Sequence, residues 1–268
     1  MKTQYIKQQH GQIAYDVTGN GPLVICVPSM GDLRSEYRFL VPQVAKAGYR
    51  VVTMDVRGHG ETSVDWDDFS VAGVGADIVA LVRELKSGPA IIVGTSMAAG
   101  ATVWAAAEAP ELIHGMILSG PFIGGEGTWI SNLMFSTLFA RPWGAAMWIQ
   151  YYSTLYPSKK PTDFKEYSAS LRENLKERGR LEALVKMITA SKKASEVRIP
   201  KVSQPVLVLM GSKDLDFKNP EEEAKLVAEQ LRGMYTMIEN AGHYPHAEMP
   251  EVVTPLMISF MNSLQKGN

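Results

Sequence analysis

Pro89-Ala90-Ile91-Ile92-Val93-Gly94-Thr95-Ser96-Met97-Ala98-Ala99-Gly100 decides how this chain folds. A β-branched apolar run stops at a glycine, a serine follows two residues later, and small residues then open an alanine-rich helical stretch over 98–109. The pattern is strand, abrupt turn, helix, with a hydroxyl at the apex. So sharp a turn forces the apex residue into a strained backbone conformation, expected at φ > 0. Its side chain then stands free above the sheet edge, beside the first helical N–H groups. Strand and helix approach so closely that residues two before and two after the apex must be small. Gly94 meets this fully, and Ala98 meets it with one extra methyl. On the pentapeptide alone, a buried strand entering a helix through a serine N-cap accounts for the same letters.

Gly94-Thr95-Ser96-Met97-Ala98 resembles the nucleophile elbow of the α/β-hydrolase fold, G-x-S-x-G, with alanine in place of the second glycine. The resemblance implies a serine nucleophile, which is poor at its own pKa and needs a base, an acid and an oxyanion site around it. In an open α/β sheet such groups gather at the carboxyl ends of strands. Two later strand ends carry titratable groups: Gly211-Ser212-Lys213-Asp214, and Asn240-Ala241-Gly242-His243-Tyr244-Pro245. The order Ser96, Asp214, His243 is the order this fold uses. Asp216 lies two residues from Asp214 and is a second candidate for the acid. Of five histidines, only His243 occupies the family's base position: His10 falls in a hairpin turn, His59 in an early loop, His114 before a strand, and His246 opens the last segment.

The remaining sequence supplies the frame. Residues 4–18 alternate apolar and polar about His10-Gly11, a two-residue hairpin turn. Continuous apolar runs at 23–27, 50–54, 115–119 and 205–211 read as strands buried on both faces, as parallel sheets require. The 234–238 run reads as the last strand. Helical spacing covers 35–47, 70–86, where Ser70 caps, 220–231 and 250–264. This alternation predicts an α/β fold: a doubly wound, mostly parallel sheet behind an N-terminal antiparallel hairpin. The rhythm breaks at Gly120-Pro121, and residues 122–200 show helical, aromatic-rich patterns without a strand. They are expected to form a helical cap (lid) inserted into a core of residues 1–121 and 201–268. Trp129, Phe135, Phe139 and Trp143 in that insertion are candidates for substrate contact. A membrane-surface helix over 134–152 is disfavoured by the lack of a clustered basic face.

Composition bounds the function. The chain has 268 residues, 46% hydrophobic and 21% charged, so a large core is expected. With 27 basic against 28 acidic residues the net charge is −1, and nothing draws the chain to nucleic acid or anionic lipid. The single cysteine, Cys26, lies in an apolar run and allows no disulfide. No apolar signal core follows Met1 and no run of eighteen apolar residues occurs, which predicts a cytoplasmic protein without a membrane span. No cofactor is expected. A metal reading of His243-x-x-His246 is weak for want of a nearby cysteine or carboxylate cluster. The partner is a small molecule, with the oligomeric state left open.

By the resemblance, the oxyanion hole consists of the Met97 N–H, just after the nucleophile, and the Met30 N–H in Pro28-Ser29-Met30-Gly31-Asp32. Many family members carry His-Gly before the second donor, whereas this chain has Ser29. Asp55-Val56-Arg57-Gly58-His59-Gly60 also resembles a common family stretch and reads as loop architecture. The implied activity is acyl transfer from a small, mostly apolar ester or related carbonyl compound to water. Serine at the apex argues against dehalogenase and epoxide hydrolase chemistry, which use an aspartate there. Carbon–carbon bond hydrolases, lactonases, thioesterases and cofactor-free perhydrolases stay open. So does a different class, a small-molecule receptor on the same fold with slow or vestigial hydrolysis.

Overall fold

The structure is a computed structural model that describes residues 2–266. Eight strands form one sheet in the order β1-β2-β4-β3-β5-β6-β7-β8. They are β1 (Gln4–Gln8), β2 (Gly11–Thr18), β3 (Leu23–Val27), β4 (Arg50–Met54), β5 (Ala90–Thr95), β6 (Ile113–Ser119), β7 (Val206–Gly211) and β8 (Met234–Ile238). β2 runs antiparallel to both β1 and β4, and every other pairing is parallel. This is the expected sheet. Gln8 pairs with Gly11, so the hairpin turn is Gln9-His10 rather than His10-Gly11. His114 lies within β6, not ahead of it.

The central strands are apolar on both faces because helices cover both. One face packs Ile25, Val27, Ile92, Met116, Leu118, Val208 and Met210 against α2 (Val71–Leu85), α3 (Met97–Glu108) and α9 (Pro220–Gln230). Val24, Cys26, Ile91, Val93, Ile117 and Leu209 point the other way, against α1 (Leu40–Lys46) and α11 (Pro250–Lys266). Alternate residues of one strand thus serve two cores, the period-2 geometry of a pleated strand.

Several boundaries differ from the sequence reading for local reasons. The 35–47 helix is divided into a 3₁₀ turn, Arg34–Tyr37, and α1. Pro42 is tolerated there because it lies in the first turn of α1, where a backbone donor has no partner to lose. Ser70 caps α2, its hydroxyl accepting from the Ala72 and Gly73 amides, and Lys86 ends that helix in a left-handed conformation (φ 48°). A short helix, α10 (Pro245–Glu248), directly after His243, was not foreseen.

Between β6 and β7 the chain is helical: α4 (Trp129–Leu138), α5 (Gly144–Thr154), α6 (Phe164–Lys176), α7 (Arg180–Thr189) and α8 (Lys193–Glu196), then a 3₁₀ turn, Ile199–Lys201. Two apolar clusters hold these helices over the strand ends. One joins Tyr152, Leu155, Tyr156, Tyr167 and Leu171 to Tyr244, and the other joins Phe139, Trp148, Leu175, Leu181 and Leu184, with Met30 packed against it. Among the described residues no helix is long and apolar enough to cross a membrane.

Candidate active site

β5 enters α3 through Ser96, whose backbone sits at φ 58°, ψ −122°. A non-glycine residue there carries about 1–3 kcal/mol of strain, tolerated only where the surroundings over-determine it. They do here: the Ser96 amide donates to Ser119 O (2.8 Å), and Ser96 O accepts from the Ala99 amide (3.0 Å) and the Phe122 amide (3.1 Å). Gly94 shows why the approach demands small residues. A Cβ built on it would lie 2.7 Å from Ala98 O and 2.6 Å from Thr102 Oγ1. Ala98 itself is fully buried, so its extra methyl is accommodated in the core.

β7 and β8 deliver the other two groups. His243 Nδ1 lies 2.7 Å from Asp214 Oδ2, with both side chains buried. Burial alone would depress the imidazole, but the Asp214 charge and hydrogen bond, with Asp216 behind them, outweigh it and raise the His243 pKa to about 9. Since Asp214 occupies Nδ1, Nε2 is the nitrogen free to act as a base. The loop bearing His243 is fixed on both sides: the His243 amide donates to Leu155 O (3.1 Å), and the Gly242 amide to Glu248 Oε2 (2.6 Å).

Gly120, at the end of β6, links the serine to this pair. At φ 51°, a Cβ there would come within 3.0 Å of the His243 ring and 3.3 Å of Asp214 Oδ2. The next residues return to Ser96 through the Phe122 amide, and the Phe122 ring lies 6.0 Å from that of His243. Ser96, Asp214 and His243 therefore meet around the carboxyl end of β6. Among the described residues no hydrogen bond joins the Ser96 hydroxyl to His243. Such contacts commonly tighten only in the substrate complex.

Asp216 is also at the site. Its Oδ2 is 3.6 Å from His243 Nδ1, and its Oδ1 accepts a hydrogen bond from Tyr151 of α5. Donor atoms of Asp214, Asp216 and His243 lie within 4.8 Å of one another, so both acid candidates stand beside the same histidine. The 2.7 Å contact commits Nδ1 to Asp214, and Tyr151 engages Asp216. His246 turns elsewhere, its Nε2 3.0 Å from Glu36 Oε1 and its ring stacked 5.0 Å from that of Tyr37.

The loop after β3 is held at every amide but one. Ser29 N donates to Glu36 Oε2 (2.8 Å), Gly31 N to His59 Nε2 (3.0 Å) and Asp32 N to Ser29 O (3.3 Å). Among residues 29–32, the Met30 amide alone has no partner among the described residues. The Met97 amide opens α3, where backbone donors have no intrahelical acceptor and the helix dipole favours negative charge. The helical segment also holds this loop. Trp148 Nε1 donates to Gly31 O (3.1 Å), while the Tyr152 and Tyr167 hydroxyls donate to Asp32. Burial and the Glu36 charge hold the Asp32 carboxyl above the carboxylate range, against the pull of the Tyr167, Leu33 and Tyr152 hydrogen bonds.

The four aromatic candidates separate. Phe139 is buried and packs edge-on against Trp148 at 5.4 Å, with Phe135 stacked beside it at 6.4 Å. Trp129 and Trp143 are 75% and 51% exposed. Spacing alone missed Trp148, Asp32, Glu36 and His59. The one available signal was that the loops carrying the last three follow β3 and β4 at their carboxyl ends, where such sheets gather functional groups. A groove of about 700 Å³ includes none of Ser96, Asp214 and His243. It is lined by Arg34, Arg38, Glu61, Glu173 and Asn174, and Arg34 and Arg38 are already paired with Asp16 and Asp163.

A family model for the alpha/beta hydrolase fold matches residues 22–250, and the chain belongs to that family. Relatives of this chain match it over different extents. A Mycobacterium tuberculosis protein named as a non-heme bromoperoxidase is 36% identical over 107 residues, a match spanning 40% of each chain. The pyrrolizixenacetamide deacetylase of Xenorhabdus hominickii is 24% identical across 96% of this chain and 97% of its own. A thermophilic esterase of Thermogutta terrifontis shares the fold at a TM-score of 0.83 and 20% identity, covering 98% of this chain and 99% of the other.

Proposed function

We propose that this hydrolase-family chain is a serine hydrolase that transfers the acyl group of a small, mostly apolar ester or related carbonyl compound to water. The buried 2.7 Å hydrogen bond between His243 and Asp214, beside a serine held at φ 58°, carries this reading. His243 Nε2 takes the Ser96 proton as Oγ attacks the carbonyl, and Asp214 orients the ring and stabilises its cation. The Met30 and Met97 amides receive the developing oxyanion. His243 then protonates the leaving group and activates water for deacylation. The full-length similarity to a deacetylase supports acyl transfer. The helices over residues 122–200 serve as a cap, and the apolar walls near the serine, Met30, Met97 and Phe122, favour an uncharged acyl group. The test is hydrolysis of p-nitrophenyl acetate and butyrate by the wild type, Ser96→Ala and His243→Ala. Sustained turnover in the wild type and its loss in both variants is the expected result. One stoichiometric burst without turnover instead identifies a receptor, and unchanged turnover in Ser96→Ala would falsify the assignment.

A further inference from the structure

The geometry points to His59 as a positioning residue of the oxyanion hole, holding the Met30 amide in place through its hydrogen bond to the Gly31 amide. The inference rests on the acyl-transfer reading above and adds to it a residue that the triad motifs do not include. His59 is buried, and both ring nitrogens are in use: Nδ1 is 2.9 Å from Arg57 O and Nε2 is 3.0 Å from Gly31 N. A backbone amide can only donate, so Nε2 must be the unprotonated nitrogen and Nδ1–H must donate to the Arg57 carbonyl. The ring is therefore one fixed neutral tautomer. Burial, helped by nearby Arg180, depresses its pKa to about 4 against the Arg57 hydrogen bond, so it stays neutral over the working range of a hydrolase.

The scaffold behind His59 is rigid. Arg57 forms a two-pronged ion pair with Asp77 of α2 (2.6 and 2.9 Å) and donates to Asp68 O (2.7 Å). Asp55 accepts from the Arg34 amide (2.7 Å) and the Glu61 amide (3.0 Å), clamping the other side of the turn. The Asn174 side chain of α6 accepts from the Gly60 amide (3.0 Å). Fixed in this way, the imidazole engages the amide immediately after Met30, while Glu36 engages the amide immediately before it. The peptide between these two anchors is the one whose N–H is unspent. An oxyanion donor acts through its placement before the reaction begins, and a misplacement of about 1 Å can reduce the rate about 100-fold. A side chain that never meets substrate can therefore set the rate by fixing that amide.

The test compares His59→Leu, which removes the acceptor, with His59→Gln, whose amide oxygen can accept from Gly31 N. p-Nitrophenyl acetate kinetics are measured alongside inhibition by an aryl trifluoromethyl ketone, whose serine adduct carries an oxyanion. In His59→Leu, kcat falls about 10- to 100-fold with KM within about threefold, and the ketone binds more weakly by a similar factor. His59→Gln recovers most of both losses. If His59→Leu does not fold, judged by far-UV circular dichroism and Tm, His59→Ala takes its place. Equal impairment of the Gln and apolar variants overturns the inference, since packing alone would then explain the loss, as does an apolar variant with unchanged kcat. Failure of the underlying reading looks different: the wild type then shows no Ser96-dependent turnover.

Discussion

His243 is where pH acts most directly on this site. In the reaction proposed above it must be neutral to accept the Ser96 proton, and its pKa is raised to about 9 because Asp214 and Asp216 outweigh the burial that would lower it. Turnover is expected to climb with pH through an acid limb lying above the ordinary histidine value of about 6.5. Asp214→Asn should move that limb down by more than one pH unit and lower kcat by about 10³-fold or more, since the charge and the tautomer are lost together. A pH–rate profile of both proteins checks this, and an unmoved limb refutes it. Stability follows the same sign. A folded-state pKa above the unfolded one gives stabilisation that is complete below about 6.5 and lost as pH rises through about 9. The wild type should thus lose more Tm than Asp214→Asn between pH 6 and pH 10. Gly120 offers a second test at this scale. Alanine there combines a positive φ with a Cβ 3.0 Å from the His243 ring, so Gly120→Ala should cost about 1–2 kcal/mol and displace the imidazole. Urea unfolding and esterase assays should show activity falling by more than the unfolded fraction explains.

Helix α5 controls the site from outside the core, by three contacts at three levels. Trp148 donates to Gly31 O beside the Met30 amide, Tyr151 donates to Asp216 beside His243, and Leu155, its C-terminal cap, accepts the His243 amide. Movement of this helix would therefore reach the Met30 loop and His243 together. Trp148→Phe keeps a buried ring but removes the indole donor, leaving a buried carbonyl with one fewer partner. About 1–2 kcal/mol of stability should be lost, with kcat falling several-fold while KM changes little. Parallel thermal unfolding and steady-state kinetics separate the two effects, and an unchanged kcat would show that Gly31 O needs no donor from α5. The elbow depends on its own element in the same way. Gly94 admits no side chain because α3 begins against it, so its constraint comes from the strand–helix turn rather than from any ligand.

Across the whole molecule, what the sequence disclosed and what it hid follow from the range of the interactions. Strands β3 to β7 were readable because a buried parallel strand is a local apolar run, and Ser96 and Asp214 were readable because each follows such a run, whereas His243 follows the half-exposed edge strand β8 and was readable from its Gly242-His243 motif. Trp148 and Gly31 lie 117 residues apart and Tyr167 and Asp32 lie 135 apart, so no local pattern announces their contacts. His59 stood in a familiar-looking turn, but its partner Gly31 was set by packing between the β3 and β4 loops. The aromatic insertion was legible as helices, yet its spacing could not show which rings turn inward. Trp129, Ile130, Leu133 and Met134 of α4 lie exposed, as does Trp143, while Phe139 and Trp148 are buried beside Met30. This division sets up a test of which rings bear on the reaction proposed above. Trp129→Ser and Trp143→Ser should leave kcat/KM for p-nitrophenyl acetate within about twofold and Tm within about 2 °C, as expected of surface positions away from structural features. Phe139→Ala, which opens a cavity against Trp148, should lower stability by about 3–5 kcal/mol. If either tryptophan variant instead lost activity toward the short ester, its exposed ring would have to contact the substrate during turnover, and the cap aromatics would then divide by more than burial.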